Sequence, residues 1–182
     1  MTTPKRPMVN PPLPRHAALQ PLSREHFGGL VLARDLVRAS KDHQTAAQRR
    51  TAVHRFAAAW SDELGPHFAD EQRLLGRLNT APELFLRHIA EHRELERLAT
   101  QAIATGPDDA PDPAWLDPAW LDRAGQLLHD HIRWEERVLF PAIEAEMSEA
   151  DAAEIARHTA DVEAHRPGAR RRHDLSKGGP LS

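Results

Sequence analysis

Four separate stretches of the chain place histidine inside an otherwise apolar helical stripe, and in two of them a carboxylate follows four residues later. The stretches are SREH (His26), HFADE (His67, Glu71), HIAEH (His88, His92) and HIRWE (His131, Glu135). A helix turns about 100° per residue, so positions i and i+4 share a face, roughly 6 Å apart along the axis. Four such helices packed together bring five imidazoles and two carboxylates into one core. A core that polar is unstable unless its groups are paired, and a metal centre pairs all of them at once.

The stripes predict an all-α chain, an up-down-up-down four-helix bundle with a short fifth helix. Residues 1–20 hold five prolines and read as a disordered tail. The first helix is expected from Ser23, an N-cap, with Leu22, His26, Leu30, Ala33 and Val37 on its apolar face. Gly28 and Gly29 weaken it and mark either close packing or ligand access. The second helix spans about 44–78 through Val53, Phe56, Trp60, Leu64, His67, Glu71, Leu74 and Leu78, with a kink at Gly65-Pro66. The third opens with a Thr80–Glu83 capping box and runs through Leu84, His88, His92, Leu95, Ala99 and Ala102, and Gly106-Pro107 stops it. An acidic, Pro-rich loop with a PAWLD-PAWLD repeat (113–122) follows. The fourth helix, about 118–147, carries Trp120, Ala124, Leu127, His131, Glu135, Val138 and Ala142, with Pro141 as a second kink. Ser148 to Asp151 recaps a fifth helix over 148–164, with Ala152, Ile155, Ala156 and Val162 apolar. The bundle domain is therefore read as 21–165, and 166–182 as a disordered basic tail.

The donor set narrows the metal. Structural zinc takes four ligands and favours thiolate, whereas this chain offers seven candidates and has no Cys. Calcium and magnesium prefer oxygen alone. Five imidazoles and two bridging carboxylates suit a pair of octahedral iron ions, or manganese, with about twelve coordination positions. The imidazoles fill five, the carboxylates four and a small bridging ligand two, which leaves one position for O2 or a similar molecule. Two assignments carry alternatives. Glu135 lies on the His131 stripe, and Glu136, turned a further 100°, is the second choice or a partner of a ligand ring. His88 and His92 both lie on the third stripe; if one alone ligates, it is His92. Asp70 and Glu91 read as surface charges or as partners of ligand rings. His16, His43, His54, His129, His158, His165 and His173 fall off the stripes and read as solvated.

Composition excludes other classes. Net charge is −3, so no global field attracts nucleic acid, and Arg170–Arg172 reads as part of a solvated tail. No apolar run spans a membrane, and the N-terminus lacks the apolar core of a secretory signal, which makes cytoplasm the expected location. The chain has no Tyr, hence no tyrosinate ligand or tyrosyl radical.

The pattern H…HxxxE…HxxxH…Hxxxx(D/E) is where the chain resembles the hemerythrin family, including the bacterial HHE cation-binding domains. His26, His67, Glu71, His88, His92 and His131 fall on it in order, over about residues 22–145. Oxygen-carrying members place the last carboxylate five after the histidine, here Glu136. Many bacterial members place it four after, here Glu135, in a segment similar to HIRWEERVLFP. Ferritin-like di-iron proteins match less well, because they use Glu-rich E-x-x-H sets. The resemblance implies a non-haem di-iron centre that binds O2 or is oxidised by it. The expected metal ligands are then His26, His67, Glu71, His88, His92, His131 and Glu135, with Leu30, Leu64, Leu74, Leu127 and Val138 keeping the pocket dry. Two further readings use the same residues: an enzyme acting on peroxide or nitric oxide or in iron or cluster repair, and a metal-free interaction module. With no reductase or signalling domain expected on the chain, a sensor would need a separate partner.

Overall fold

Prolines and short polar caps set where each helix of this chain begins. The computed structural model describes residues 15–78, 82–105 and 116–165. Helix α1 (Gln20–Ala39) has Pro21 in its first turn, where a missing N–H leaves no bond unmade. Helix α2 (Ala46–Ala59) is opened by a reciprocal capping box between Thr45 and Gln48. It continues through a π-helical turn (Trp60–Leu64) into α3 (Gly65–Leu75). Helix α4 is Pro82–Ile103. Helix α5 (Pro118–Trp134) is capped by Asp117, whose side chain accepts from the Trp120 N–H at 2.7 Å. A second π turn (Glu135–Leu139) joins it to α6 (Phe140–Glu146). Ser148 and Asp151 then cap each other at the start of α7 (Glu149–His165). No strand occurs among the described residues.

Four rods, α1, α2–α3, α4 and α5–α6, form the bundle, and cross-rod pairs fix its direction. Gly29 on α1 meets Leu64 and Ile132, and Gly125 on α5 meets Ala33 and Val37. Asp35 pairs with Arg55. Trp120 Nε1 donates to Gln101 Oε1 at 3.0 Å, while Arg87 stacks over Trp134. These pairs run in opposite chain directions on successive rods, and the fourth rod closes on the first: an all-α up-down-up-down bundle with α7 appended. Its apolar core is split in two. One block centres on Leu36, Phe56, Leu95, Leu98, Leu121 and Leu128. The other centres on Leu19, Leu75, Leu139, Phe140, Ile143 and Ile155. The histidine stripes lie between them.

The two expected kinks take the form of π turns. Proline has no N–H to give, and its ring collides with the carbonyl four residues back. In each case the residue just before the proline bonds five residues back instead, Gly65 to the Trp60 carbonyl and Phe140 to the Glu135 carbonyl. Each turn inserts a residue into the helical register. After Glu135 the buried positions are therefore Leu139, Phe140 and Ile143, whereas Val138, expected on the apolar face, is 41% exposed and Ala142 only half-buried.

Other boundaries differ from expectation. Helix α1 starts at Gln20, before Ser23; the Ser23 hydroxyl instead donates to Glu136 Oε1 at 2.6 Å. Ahead of α1, Ala18 and Leu19 are buried in the second apolar block, and Arg15 is half-buried. Ala156 faces solvent, and Thr159 takes its place on the buried side of α7. Leu30 and Leu127 are half-buried. Residues 1–14, Thr80 and Ala81 of the third-helix capping box, Gly106-Pro107, the start of the PAWLD repeat and residues 166–182 lie outside the described residues. No described helix is long and apolar enough to cross a membrane.

Two glycines at the α1–α5 contact separate backbone from side-chain crowding. A Cβ at Gly125 would lie 2.7 Å from the Ala33 carbonyl oxygen, whereas one at Gly29 meets chiefly the flexible end of Ile132. Gly125→Ala should therefore lower unfolding free energy by about 1–3 kcal/mol, as overpacking does. In Gly29→Ala the helix-propensity gain of about 1 kcal/mol offsets the repacking. Denaturant unfolding of the two variants checks the difference.

Candidate metal centre

All seven candidate side chains converge on one buried layer, each at most 3% exposed. They form two groups whose donor atoms lie within 4.8 Å of one another: His88, His92, His131 and Glu135, and His26, His67 and Glu71. Both carboxylates reach across the division. Glu71 Oε1 lies 3.3 Å from His26 Nε2 and 3.2 Å from His67 Nε2, while its Oε2 lies 3.6 Å from His92 Nε2. Glu135 Oε1 lies 3.0 Å from His88 Nδ1 and from His131 Nε2, while its Oε2 lies 3.2 Å from His26 Nε2.

These short approaches are not hydrogen bonds. Among the described residues, thirteen buried side-chain nitrogen and oxygen atoms have no hydrogen-bond partner, and ten belong to these seven residues. The unpartnered atoms include Nε2 of all five imidazoles and all four carboxylate oxygens. Octahedral metal–donor bonds of about 2.1 Å place adjacent donor atoms about 3 Å apart. The donor spacing and the missing hydrogen bonds thus both fit cations seated between the groups. The donor chemistry, imidazole and carboxylate with no thiolate, fits iron or manganese.

The outer ring nitrogens are held by a closed circuit of hydrogen bonds. Glu25 on α1 faces His67 Nδ1 at 2.7 Å. Gln72 on α3 faces His92 Nδ1 at 2.9 Å. Glu91 on α4 faces His131 Nδ1 at 2.9 Å. Glu136, in the second π turn, faces His26 Nδ1 at 2.6 Å and so returns to α1. Each rod orients an imidazole of the next, and the fourth orients one of the first. Such contacts fix the ring orientation and, where the acceptor is a carboxylate, raise ligand basicity. His88 stands outside the circuit. Aromatic rings cover the layer: Phe68 stacks on His92 at 4.1 Å, Phe140 on His26 at 5.5 Å and Phe85 on His88 at 5.6 Å.

Glu135 and Glu136 take two different positions on one imidazole. Glu135 approaches His26 Nε2 from the centre, and Glu136 holds its Nδ1 from outside. Glu91 is a ring partner, one of the two roles expected for it. Asp70 is not; it pairs with His158 Nε2 at 2.8 Å. His158, expected to be solvated, is therefore half-buried and bonded, and His54 is half-buried too. His16, His43 and His129 are exposed, and His173 and the His165 side chain lie outside the described residues. Sequence reasoning missed Glu25, Gln72 and the three phenylalanines. The available signal was position: Glu25, Gln72, Glu91 and Glu136 each adjoin a candidate ligand in the chain.

Burial and charge compete at every group. Burial alone would depress His67, but the Glu71 carboxylate beside it and the hydrogen bond to Glu25 raise it to about 9. Burial opposes His131 likewise, and Glu135 and Glu91 raise it to about 9. His26 is raised well above its ordinary range, against burial, by Glu135, Glu136 and Glu71. At His92 burial prevails, with help from the His88 and His131 charges, and pushes the ring down to about 4. Burial and mutual repulsion favour protonated Glu71 and Glu135, yet the surrounding imidazoles hold both below the usual carboxylate range.

In the metal-free protein His26, His67 and His131 thus carry protons at neutral pH, and a cation must displace them. The raised values mean that proton competition is strongest at low pH and fades as pH passes about 9. Mn(II) affinity of the metal-free protein should therefore rise from pH 6.5 to 8.5, by about tenfold per pH unit for each imidazole still protonated. Calorimetric titration in buffers of different ionisation enthalpy checks this through the protons released.

Residues 22–132 match the family model described as the hemerythrin HHE cation binding domain. Six of the seven candidate ligands fall inside that span, and Glu135 lies just beyond it. No curated protein and no solved structure matches the chain.

Proposed function

Because this chain belongs to the hemerythrin HHE cation binding family, we propose that its buried layer holds two iron ions and that the protein binds or senses O2 or a related small oxidant. The observation that carries this reading is the shared use of Glu71 and Glu135. Each sends one oxygen toward the three-histidine group and the other toward the two-histidine group. One isolated ion would need neither the second group nor two carboxylates spanning the pair.

In this reading His26 and His67 would hold one ion and His88, His92 and His131 the other, with Glu71 and Glu135 placed to serve both. Five imidazoles and two bridging carboxylates supply nine donors to about twelve octahedral positions, so the protein leaves room for small exogenous ligands. When bound, a pair of iron ions would supply electrons to O2 or to another small oxidant. The chain's own contribution is orientation and exclusion of water. Glu25, Glu91 and Glu136 fix the rings of His67, His131 and His26. Phe68, Phe85 and Phe140, with buried Leu64, Leu74 and Leu139, limit exchange with bulk solvent.

Protein purified from iron-supplied cells should show charge-transfer absorption that bleaches on anaerobic reduction and returns on exposure to O2. Glu71→Ala and His131→Ala should lose both iron and absorption. Removing the metal should lower stability by several kcal/mol, because the free energy of cation binding to the folded site is lost. A chain that folds equally well without stoichiometric metal and shows no O2-dependent spectrum would overturn the reading. Multiple turnovers of peroxide or nitric oxide with an electron donor would instead point to an enzyme.

A further inference from the structure

The segment that precedes the bundle is fastened to the outer circuit by one cation. Arg15 Nη2 donates to Glu136 Oε2 at 2.8 Å and to the Glu136 backbone carbonyl at 2.7 Å. Its Nη1 forms an ion pair with Glu144 at 3.1 Å. The guanidinium lies 5.0 Å from the centre of the Phe140 ring, which itself stacks on His26. The Arg15 side chain is only 7% exposed. Glu136 is thereby gripped by three donors: Arg15 on Oε2, and Ser23 and His26 Nδ1 on Oε1. The next residues are fastened as well. The His16 N–H donates to Glu144 at 2.7 Å, and Leu19 is fully buried.

We propose that Arg15 is a positioning residue for the metal centre, acting on His26 through Glu136, and that it couples the segment Arg15–Leu19 to the oxidation state of the centre. The inference rests on the di-iron reading above. Glu136 is a negative charge one hydrogen bond from a ligand imidazole, in a setting where charges interact far more strongly than in water. Left alone, it favours the more positive, oxidised centre. Arg15 offsets part of that charge and directs the carboxylate, so it favours the reduced centre. Coupling of this kind is reciprocal. If Arg15 shifts the redox balance, oxidation must shift how firmly Arg15 and the residues after it are held.

The test is anaerobic redox titration of the iron-loaded full chain, followed spectroscopically, for wild type and four variants. Arg15→Gln should raise the oxidised-to-reduced ratio at a fixed potential severalfold, and Arg15→Lys should restore part of the shift. Glu136→Gln should move the ratio in the opposite direction. Glu144→Gln, which loosens the segment, leaves the Arg15–Glu136 contact and removes a more distant negative charge, should move the ratio the same way as Glu136→Gln and by less. In wild type, hydrogen exchange at the Leu19 and Gln20 amides, which donate to the His16 carbonyl, should differ between the oxidised and reduced forms. A merely structural role predicts equal loosening from Arg15→Gln and Glu144→Gln, with no opposite signs. Unshifted or same-direction titrations for Arg15→Gln and Glu136→Gln in iron-loaded protein would overturn this inference alone. Should Arg15→Gln fail to fold, Glu136→Gln and Arg15→Lys still decide it. Wild type that takes up no iron would overturn the di-iron reading and this inference together.

Discussion

The structure depends on a buried polar layer that hydrogen bonds alone leave unsatisfied. Five imidazoles and two carboxylates separate two apolar blocks, and their inward atoms have no partner while their outer nitrogens, His88 excepted, are bonded. An apolar layer there would pack more easily, because unpaired buried polar groups are destabilising by several kcal/mol. The circuit from Glu25 to His67, Gln72 to His92, Glu91 to His131 and Glu136 to His26 ties all four rods at this level. It aims four imidazoles inward whether or not a cation is present. Fold and site are therefore one arrangement: the rods cannot rotate or slide independently without breaking the contact that orients the next ring.

The prolines serve the same layer. Pro66 and Pro141 lie on the two rods that carry a HxxxE pair, and each follows a π turn. The second turn begins at Glu135 itself and sets two successive carboxylates around one imidazole. Glu135 faces His26 from inside and Glu136 from outside. An uninterrupted α-helix turns successive residues by about 100°, and the wider turn reduces that angle. π turns recur at functional sites for this kind of reason.

Much of this was legible in the sequence. Period-3.6 spacing through His26, His67, His88, His92 and His131 gave the helices, their inward faces and the candidate ligands, because ligands at i and i+4 obey the same geometry as a core stripe. Each departure has its own physical cause. Val138 and Ala142 were assigned by carrying an α-helical period through Glu135, and the π turn shifts that register by one residue. Ser23 looked like an N-cap, but Pro21 starts the helix earlier and frees Ser23 to bind Glu136. Glu25, Gln72 and Arg15 act across helices, on partners 42, 20 and 121 residues away, and local periodicity holds no information about such contacts. The family match ends at residue 132 and so leaves the same region, where the π turn lies, to the structure.

Anomalous diffraction at the iron absorption edge, from crystals of the iron-loaded chain, tests the central claim most directly. The account predicts two peaks per chain, one among His26, His67 and Glu71 and the other among His88, His92, His131 and Glu135, with both carboxylates between them. A single peak, or peaks outside the layer while these seven side chains hold their places, would contradict it.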